Sequence, residues 1–419
     1  MAVNSVIINH SDKFAEYKYI ISEFFIIIGG VSTEFPIERI SDFKIEHYFD
    51  EASFPIFKLT CQMEASRYYE MIKNKDNVKF KLRIQRFYTL RGETERSMLK
   101  DVINDTFIFF PDDDTDDLSK DLKQEANTTS DLNELDKLLN VVELFLFKES
   151  FVTGLRSSFN DVLNNVTLST AVTYLLNKAG CNHVLMSPFE NSKTYSTIVL
   201  PPQSIEKQLK YLNNNYGFHS KGTMIYFGLF HSYIINYMAG CTAWSKGEWT
   251  ETVIFVLEKS NNLSFLSGAI IKQDEERYYY NATIEGIQVN SNTVSSNVLT
   301  GTDAISIDMQ NSSTTSQKSD GKTIEKKNST TLFNNSSNPF MASAYVAQQS
   351  ANATVITLVL ENVDLEAFTP NKVFSFVFEN AEYNGKYKGS YKLSSCLYSF
   401  SHNGDEFLVT AAMTFKKVG

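Results

Sequence analysis

Two stretches far apart in the chain share one layout, and that layout constrains the fold more than any other feature. The first, FKLTCQM–EASRYYEMIKNKDN–VKFKLRIQRF, runs from Phe57 to Phe87. The second, TVITLVLE–NVDLEAFTPN–KVFSFVFE, runs from Thr354 to Glu379. In each, a polar bend carrying an aromatic joins two runs rich in β-branched and aromatic residues, the pattern expected of paired strands. The two share pattern with few identities. A helix-containing segment separates them. The layout predicts two related β-rich domains flanking an insert, an architectural plan rather than a catalytic one.

At 419 residues the chain has room for roughly two to four domains with real cores. Hydrophobic residues make up 42% and aromatics 13%, which excludes global disorder. The 32 Phe and 21 Tyr suit pleated sheets and large interfaces. A formal net charge of −10 argues against a dedicated nucleic-acid binder, which needs clustered Lys and Arg. A mildly acidic surface is instead compatible with a channel through which DNA slides without adhering. The N-terminus MAVNSVIINHSDKF lacks a basic start followed by an apolar core, and the apolar run Phe24–Ile28 is far too short to span a bilayer. The expectation is a protein made in a cytoplasm, without membrane insertion, and its Asn-x-Ser/Thr sequons read as chance.

Residues 1–16 read as an N-terminal arm. Residues 17–149 form a first β domain, in which Phe43, Ile45 and His47 alternate with Lys44, Glu46 and Tyr48 as on a strand. An acidic insertion at 92–140, with PDDDTDDLSKD at Pro111–Asp121, reads as an elaborated loop with short helices. Strand character returns at Val141–Lys148.

The period then changes, and 150–249 reads as an α/β module. Leu168, Val172, Leu175, Leu176 and Ala179 share one helical face, with Thr167 as cap and Gly180 as left-handed stop. A second helix starts after Pro201-Pro202 with Ser204 as cap. It carries Ile205, Leu209, Leu212 and Tyr216 on one face and ends at Gly217. Strands are expected at Thr197–Leu200, Thr223–Phe230 and His231–Tyr237. Residues 250–419 form a second β region. It holds strands at Thr250–Glu258 and Arg277–Val289, a polar flexible loop at 290–338 and a β domain at 343–419. Asn403-Gly404 is its hairpin signal.

Chemical motifs are sparse. The run Asp112, Asp113, Asp114, Asp116, Asp117 lacks the Gly and Glu that a calcium loop requires, since those positions hold Asp117 and Lys123. It reads as a solvated acidic loop. The histidines His10, His47, His183, His219, His231 and His402 never fall at zinc spacing. His219 and His231 lie close enough along the module to meet in space, but no third ligand accompanies them. Cys61, Cys181, Cys241 and Cys396 are scattered and read as small buried hydrophobes in a reducing compartment. Glu248, Glu251 and Glu258 near Trp244 and Trp249 are the nearest approach to a sugar cleft, and polar strand faces explain them better. Phosphate-binding loops, nucleophile elbows and metalloprotease motifs do not occur. No catalytic, cofactor-binding or metal residues are assigned.

The segment LPPQSIEKQLKYLNNNYGFHSKGTMIYFGLF, residues 200–230, resembles the central baseplate hub proteins of contractile-tailed bacteriophages and related contractile injection systems. DFKIEHYFDEASFPIFKLTCQM resembles that family's first tube-forming domain. NVDLEAFTPNKVFSFVFE with YKGSYKLSSCLYSF resembles its second. The resemblance implies a predominantly β, α+β fold with two tail-tube-like β-barrel domains flanking a small α/β module. It further implies a homotrimer that matches a six-fold tail tube to a three-fold central spike and lines the DNA channel without binding DNA specifically. Such a hub touches tail tube protein, spike protein and other baseplate parts. It belongs to the virion, assembled in the host cytoplasm, and carries no enzyme. The alternatives are a tail tube or other tail-associated structural protein, or a tail-borne peptidoglycan hydrolase. The segments 92–140 and 290–338 depart from the family pattern.

Overall fold

The computed structural model describes residues 14–49, 53–90, 92–110, 139–181, 183–237, 251–258, 268–274, 277–289, 304–308, 313–317, 329–333, 338–341, 343–345, 347 and 354–418. The N-terminal part runs β1 (Phe14–Ile28), β2 (Val31–Glu34), β3 (Ile40–Tyr48), β4 (Ile56–Glu64), α1 (Ala65–Lys73), β5 (Val78–Leu90), β6 (Lys100–Phe110) and β7 (Leu139–Lys148). The middle part runs α2 (Glu149–Leu155), β8 (Ser158–Thr167), α3 (Leu168–Lys178), β9 (Val184–Met186), β10 (Thr194–Ser204), α4 (Ile205–Tyr216), β11 (Thr223–Phe227) and β12 (Ser232–Asn236). The rest begins with β13 (Glu251–Leu257), β14 (Gly268–Asp274), β15 (Arg277–Val289), β16 (Ala304–Asp308), β17 (Ser313–Gln317) and β18 (Ser329–Phe333). It ends with β19 (Thr354–Leu360), β20 (Phe374–Phe378), α5 (Ala381–Tyr387), β21 (Gly389–Asn403) and β22 (Glu406–Lys417).

The expected predominance of β structure is borne out. One large sheet joins the N-terminal strands to the C-terminal ones, and its pairings close three circuits, one of them linking β1, β14, β15, β19 and β22. The circuit β13–β20–β21–β22–β19–β15 returns to β13 through a parallel β13–β15 pairing. A larger circuit passes through β1, β5, β6, β7, β4 and β3, then through β21 and β22 back to β1 at Tyr19↔Phe407. The hairpin β21–β22 therefore belongs to both. Its open end pairs β20 and β19, and the stretch toward its tip pairs β3 through Ser395–Phe400. Asn403 and Glu406 close it, with Gly404 at φ +67° in the left-handed region that glycine adopts without strain.

Both strand–bend–strand units of the sequence form, but the two strands within each unit are not partners. β4 pairs β3 and β7 while β5 pairs β1 and β6, and β19 pairs β15 and β22 while β20 pairs β13 and β21. In both units the next two strands of the chain are inserted between them. The resulting orders, β4-β7-β6-β5 and β19-β22-β21-β20, are the same Greek-key plan. The first bend is a helix, α1, which buries Ala65, Tyr68 and Met71. A bend long enough to become a helix cannot close a tight hairpin, so it crosses to another edge instead.

Three further expectations are corrected. The polar segment 92–140 contains β6 and the start of β7, because Val102, Ile103, Phe107 and Phe109 supply an inward face that neighbouring charges mask in the sequence. The N-terminal arm is strand from Phe14 onward. The polar loop 290–338 contains β16, β17 and β18, an antiparallel sheet of Thr- and Ser-rich strands. The acidic run Asp112–Asp117 lies outside the described residues.

Inward alternation fills the main core. Phe57, Leu59, Cys61 and Met63 on β4, and Val78, Phe80, Leu82 and Ile84 on β5, are all buried. One continuous cluster of buried side chains spans both circuits, and a separate one fills the α/β module. The two helices α3 and α4 form as their periodicity predicts. Thr167 Oγ1 caps α3 by accepting from the Thr170 amide at 3.3 Å, and Ser204 Oγ caps α4 by accepting from the Lys207 amide at 3.4 Å. Gly217 ends α4 at φ +69°, and a Cβ there would lie 2.2 Å from Asn338 Oδ1.

Candidate functional site

Among the described residues no group of three or more His, Cys, Asp or Glu side chains is placed to hold a metal ion. The chemistry-bearing residues are instead concentrated at two places: the junction where the circuits and the module meet, and the outer face of the N-terminal circuit.

At the junction, the segment between β19 and β20 crosses onto the N-terminal strands. Val363, Leu365, Ala367 and Phe368 are buried there. Tyr19 on β1 donates its hydroxyl to the Val363 carbonyl at 2.7 Å and accepts from the Leu365 amide at 3.0 Å. Arg86 on β5 pairs with Asp364 and, at 3.2 Å, with Glu366, which also binds Lys100 at 2.7 Å. Burial raises the Asp364 carboxyl above its usual range against the opposing pull of Arg86. Burial, reinforced by Asp364, also raises the Tyr19 phenol.

The module docks on the same junction through His47, whose Nδ1 shares a hydrogen bond with the Tyr226 hydroxyl. Phe49 stands edge-on to Tyr226 with centroids 4.6 Å apart, and Tyr398 of the shared hairpin stands edge-on to His47 at 5.6 Å. Burial pushes the His47 imidazole down to about 3, so it is neutral at physiological pH. A cavity of about 30 Å³ remains beside these rings, bordered also by Phe368 and Pro370. It is large enough for a water-sized group.

The outer face of β1, β5 and β6 is a ladder of paired charges. Glu23 binds Lys81 at 2.6 Å and Arg83 at 3.2 Å. Arg83 grips Asp101 with two parallel bonds of 3.1 and 3.0 Å, and Gln85 adds a third at 2.7 Å. Lys79–Glu149 at 2.7 Å and Lys148–Asp105 at 2.9 Å extend the pattern. Hydrogen bonds from Lys81 and Arg83 hold the Glu23 carboxyl below the usual carboxylate range. Those from Arg83 and Gln85 do the same for Asp101.

The histidines singled out in the sequence take other neighbours than expected. His231 stands edge-on to His183 with centroids 6.4 Å apart, while His219 Nε2 lies 3.1 Å from Ser187 Oγ. His219 Nδ1 is 3.9 Å from Glu190, too far for a hydrogen bond. Glu190 accepts from the Ser220 amide and Asn236 Nδ2, and Ser187 Oγ accepts from the Asn236 amide. The cluster ties β9, β12 and the end of α4 together as a polar staple around the buried Ser187 and His219. His402 bonds the Ile40 carbonyl at 2.7 Å.

Cys61 and Cys396 are buried and Cys181 is half-buried, all three as free thiols that burial makes less acidic; Cys61 is pushed up to about 12 and Cys181 to about 11. Glu258 accepts from Asn380 at 2.7 Å. Glu251 lies at the start of β13. Glu248, Trp244, Trp249, Cys241 and His10 lie outside the described residues. Sequence reading missed the Arg86–Asp364 pair and the Ser187–His219 staple, whose members are too far apart in the chain for any local pattern.

No curated protein matches the chain. Among solved structures it is similar to a tail protein from Neisseria meningitidis MC58, with 9% identity, a TM-score of 0.44 and coverage of 96% of this chain and 97% of that one. It is similar to the 43 kDa tail protein of prophage MuSo2 from Shewanella oneidensis, with 11% identity, a TM-score of 0.42 and coverage of 94% and 97%. A component of the E. coli type VI secretion system gives 7% identity, a TM-score of 0.40 and coverage of 93% of this chain and 76% of that one. These likenesses are distant, and the assignment rests on sequence. The profile of a phage family, described as bacteriophage PBS1 gene 109 protein, matches residues 18–418 and bears out the phage resemblance. The chain is a member of the bacteriophage PBS1 gene 109 protein family.

Proposed function

We propose that this phage protein is a baseplate hub of the tail, a homotrimeric adaptor between a six-fold tube and a three-fold spike. The observation that carries the reading is the repeated strand order, β4-β7-β6-β5 and β19-β22-β21-β20, within the closed circuits of one chain. Two tube-like barrels per subunit, arranged around a three-fold axis, present six similar units to a six-fold tube while the assembly keeps the symmetry of a spike. Closing strands into circuits removes free sheet edges, as a particle assembled beside many copies of itself requires. A net charge of −10 suits a channel wall that lets DNA pass. Domains at 17–149, 150–249 and 343–419 fit this plan, with tail tube protein, spike and other baseplate parts as partners and the virion as location.

Solution mass with single-particle imaging tests the proposal. A three-fold particle with a central opening, formed by the chain alone or with its spike, is the expected result. A strict monomer under both conditions overturns it.

A further inference from the structure

Three of the described histidines use a ring nitrogen inside the fold: His47 with the Tyr226 hydroxyl, His219 with Ser187 Oγ and His402 with the Ile40 carbonyl. His183 and His231 differ. Their rings stand against each other, with centroids 6.4 Å apart and planes at 88°, and His231 also stands edge-on to Tyr233. Among the described residues, no hydrogen bond engages either ring. His183 is exposed and His231 is half-buried, so their nitrogens are open to a ligand from solvent.

The topology explains why two residues so far apart in the chain meet. β9 and β12 run parallel with Val184 opposite Ser232, so His183 and His231, immediately before them, stand on neighbouring rungs. Both backbones are fixed: the Ser232 amide donates to the His183 carbonyl at 2.8 Å, and the Gly228 amide to the His231 carbonyl at 2.9 Å. Matched positions of a ladder project from the same face. Two imidazoles held side by side in this way lose little further freedom on closing around one ion.

A metal bound to two imidazoles at about 2.0 Å holds their nitrogens about 3 Å apart. The rings now stand edge to face, and rotation about their side-chain torsions turns a nitrogen of each toward a common point. Imidazole suits divalent copper, nickel and zinc, whereas calcium and magnesium take oxygen ligands. Because no group of three metal-ligating side chains occurs among the described residues, water would complete the coordination. β9 is a three-residue strand at the edge of its sheet, with β12 as its partner. An ion across the two histidines would clamp that edge. It would also steady the turn Gly228–His231, which borders the junction cavity beside Phe368 and Pro370.

We propose that His183 and His231 form a chelating site for one divalent ion of the copper, nickel and zinc class, and that the bound ion clamps β9 to β12. The proposal stands apart from the hub reading.

Calorimetric titration of the untagged full chain with Ni²⁺ tests it, alongside His183→Ala, His231→Ala and the control His402→Gln. The expected result is one equivalent bound by the unsubstituted chain and by the control, weakened roughly tenfold or more in each alanine variant. Ni²⁺ should raise the melting temperature of the first two proteins and leave the alanine variants unmoved, while Mg²⁺ should do neither. Melting without metal reports whether each variant folds, and His183→Asn replaces an alanine variant that does not. No binding by the unsubstituted chain, or binding that survives both alanine exchanges, overturns the site. Binding lost in only one of them reveals a lone histidine contact and overturns the chelate. Binding that leaves the melting temperature unchanged overturns the clamp.

Discussion

His47 is the residue on which the junction turns, because it is an ionisable group buried among rings with a tyrosine hydroxyl as its hydrogen-bond partner. Its folded pKa of about 3 lies below the unfolded value, so the folded state disfavours the proton. The stability it contributes is therefore complete above about pH 6.5 and is lost as pH falls below that value, by at most about 1.4 kcal/mol per pH unit. Thermal unfolding followed between those limits should show this acid slope, and His47→Gln should flatten it. An unchanged slope would mean that His47 is more hydrated than its surroundings indicate. Arg86 raises a different question, since removing it alone strands Asp364 in the interior. Arg86→Ala should cost about 3–5 kcal/mol, while Arg86→Met with Asp364→Leu should recover most of that loss. A double-mutant cycle by urea denaturation measures both.

At the scale of elements, the two helices of the module form where their caps and apolar faces place them, and local chemistry is sufficient there. Gly217 shows the limit of that legibility. The sequence marks it as a stop, but only the fold reveals that Asn338 closes over it and donates to the Asn214 carbonyl at 2.8 Å. Gly217→Ala combines a positive φ with a clash, so it should destabilise the module by more than the roughly 1 kcal/mol of the conformational term alone. Chemical denaturation of the purified chain checks this. The strands were legible as strands from alternation, yet their partners were not. β4 and β5 are sequence neighbours, and nothing in their residues says that β6 and β7 will be inserted between them. Pairing depends on non-local contacts such as Phe57 against Phe107, whose centroids lie 4.5 Å apart. β6 was missed for a related reason: Asp101, Asn104 and Asp105 give it a polar outer face, and only the partners Arg83 and Lys148 explain why a strand tolerates them. The ladder of paired charges was invisible in the sequence for the same cause.

For the whole molecule, the shared hairpin sets the mechanics. Because β21 and β22 carry ladder bonds of both circuits, neither circuit can open without disturbing the other, whereas the module keeps its own core. Load applied at one circuit therefore reaches the other through continuous strands. The electrostatic balance of the charge ladder leads to a separate consequence. Glu23→Lys with Asp101→Lys would turn matched pairs into like-charge contacts and leave Lys81 and Arg83 free to meet phosphates. The purified variant should acquire an affinity for duplex DNA that weakens steeply as salt rises, because each phosphate contact releases a counterion. The unsubstituted chain, in which Lys81 and Arg83 are already engaged, should bind more weakly. An affinity no greater than that of the unsubstituted chain would mean that Lys81 and Arg83 stay out of reach of phosphates even without their carboxylate partners.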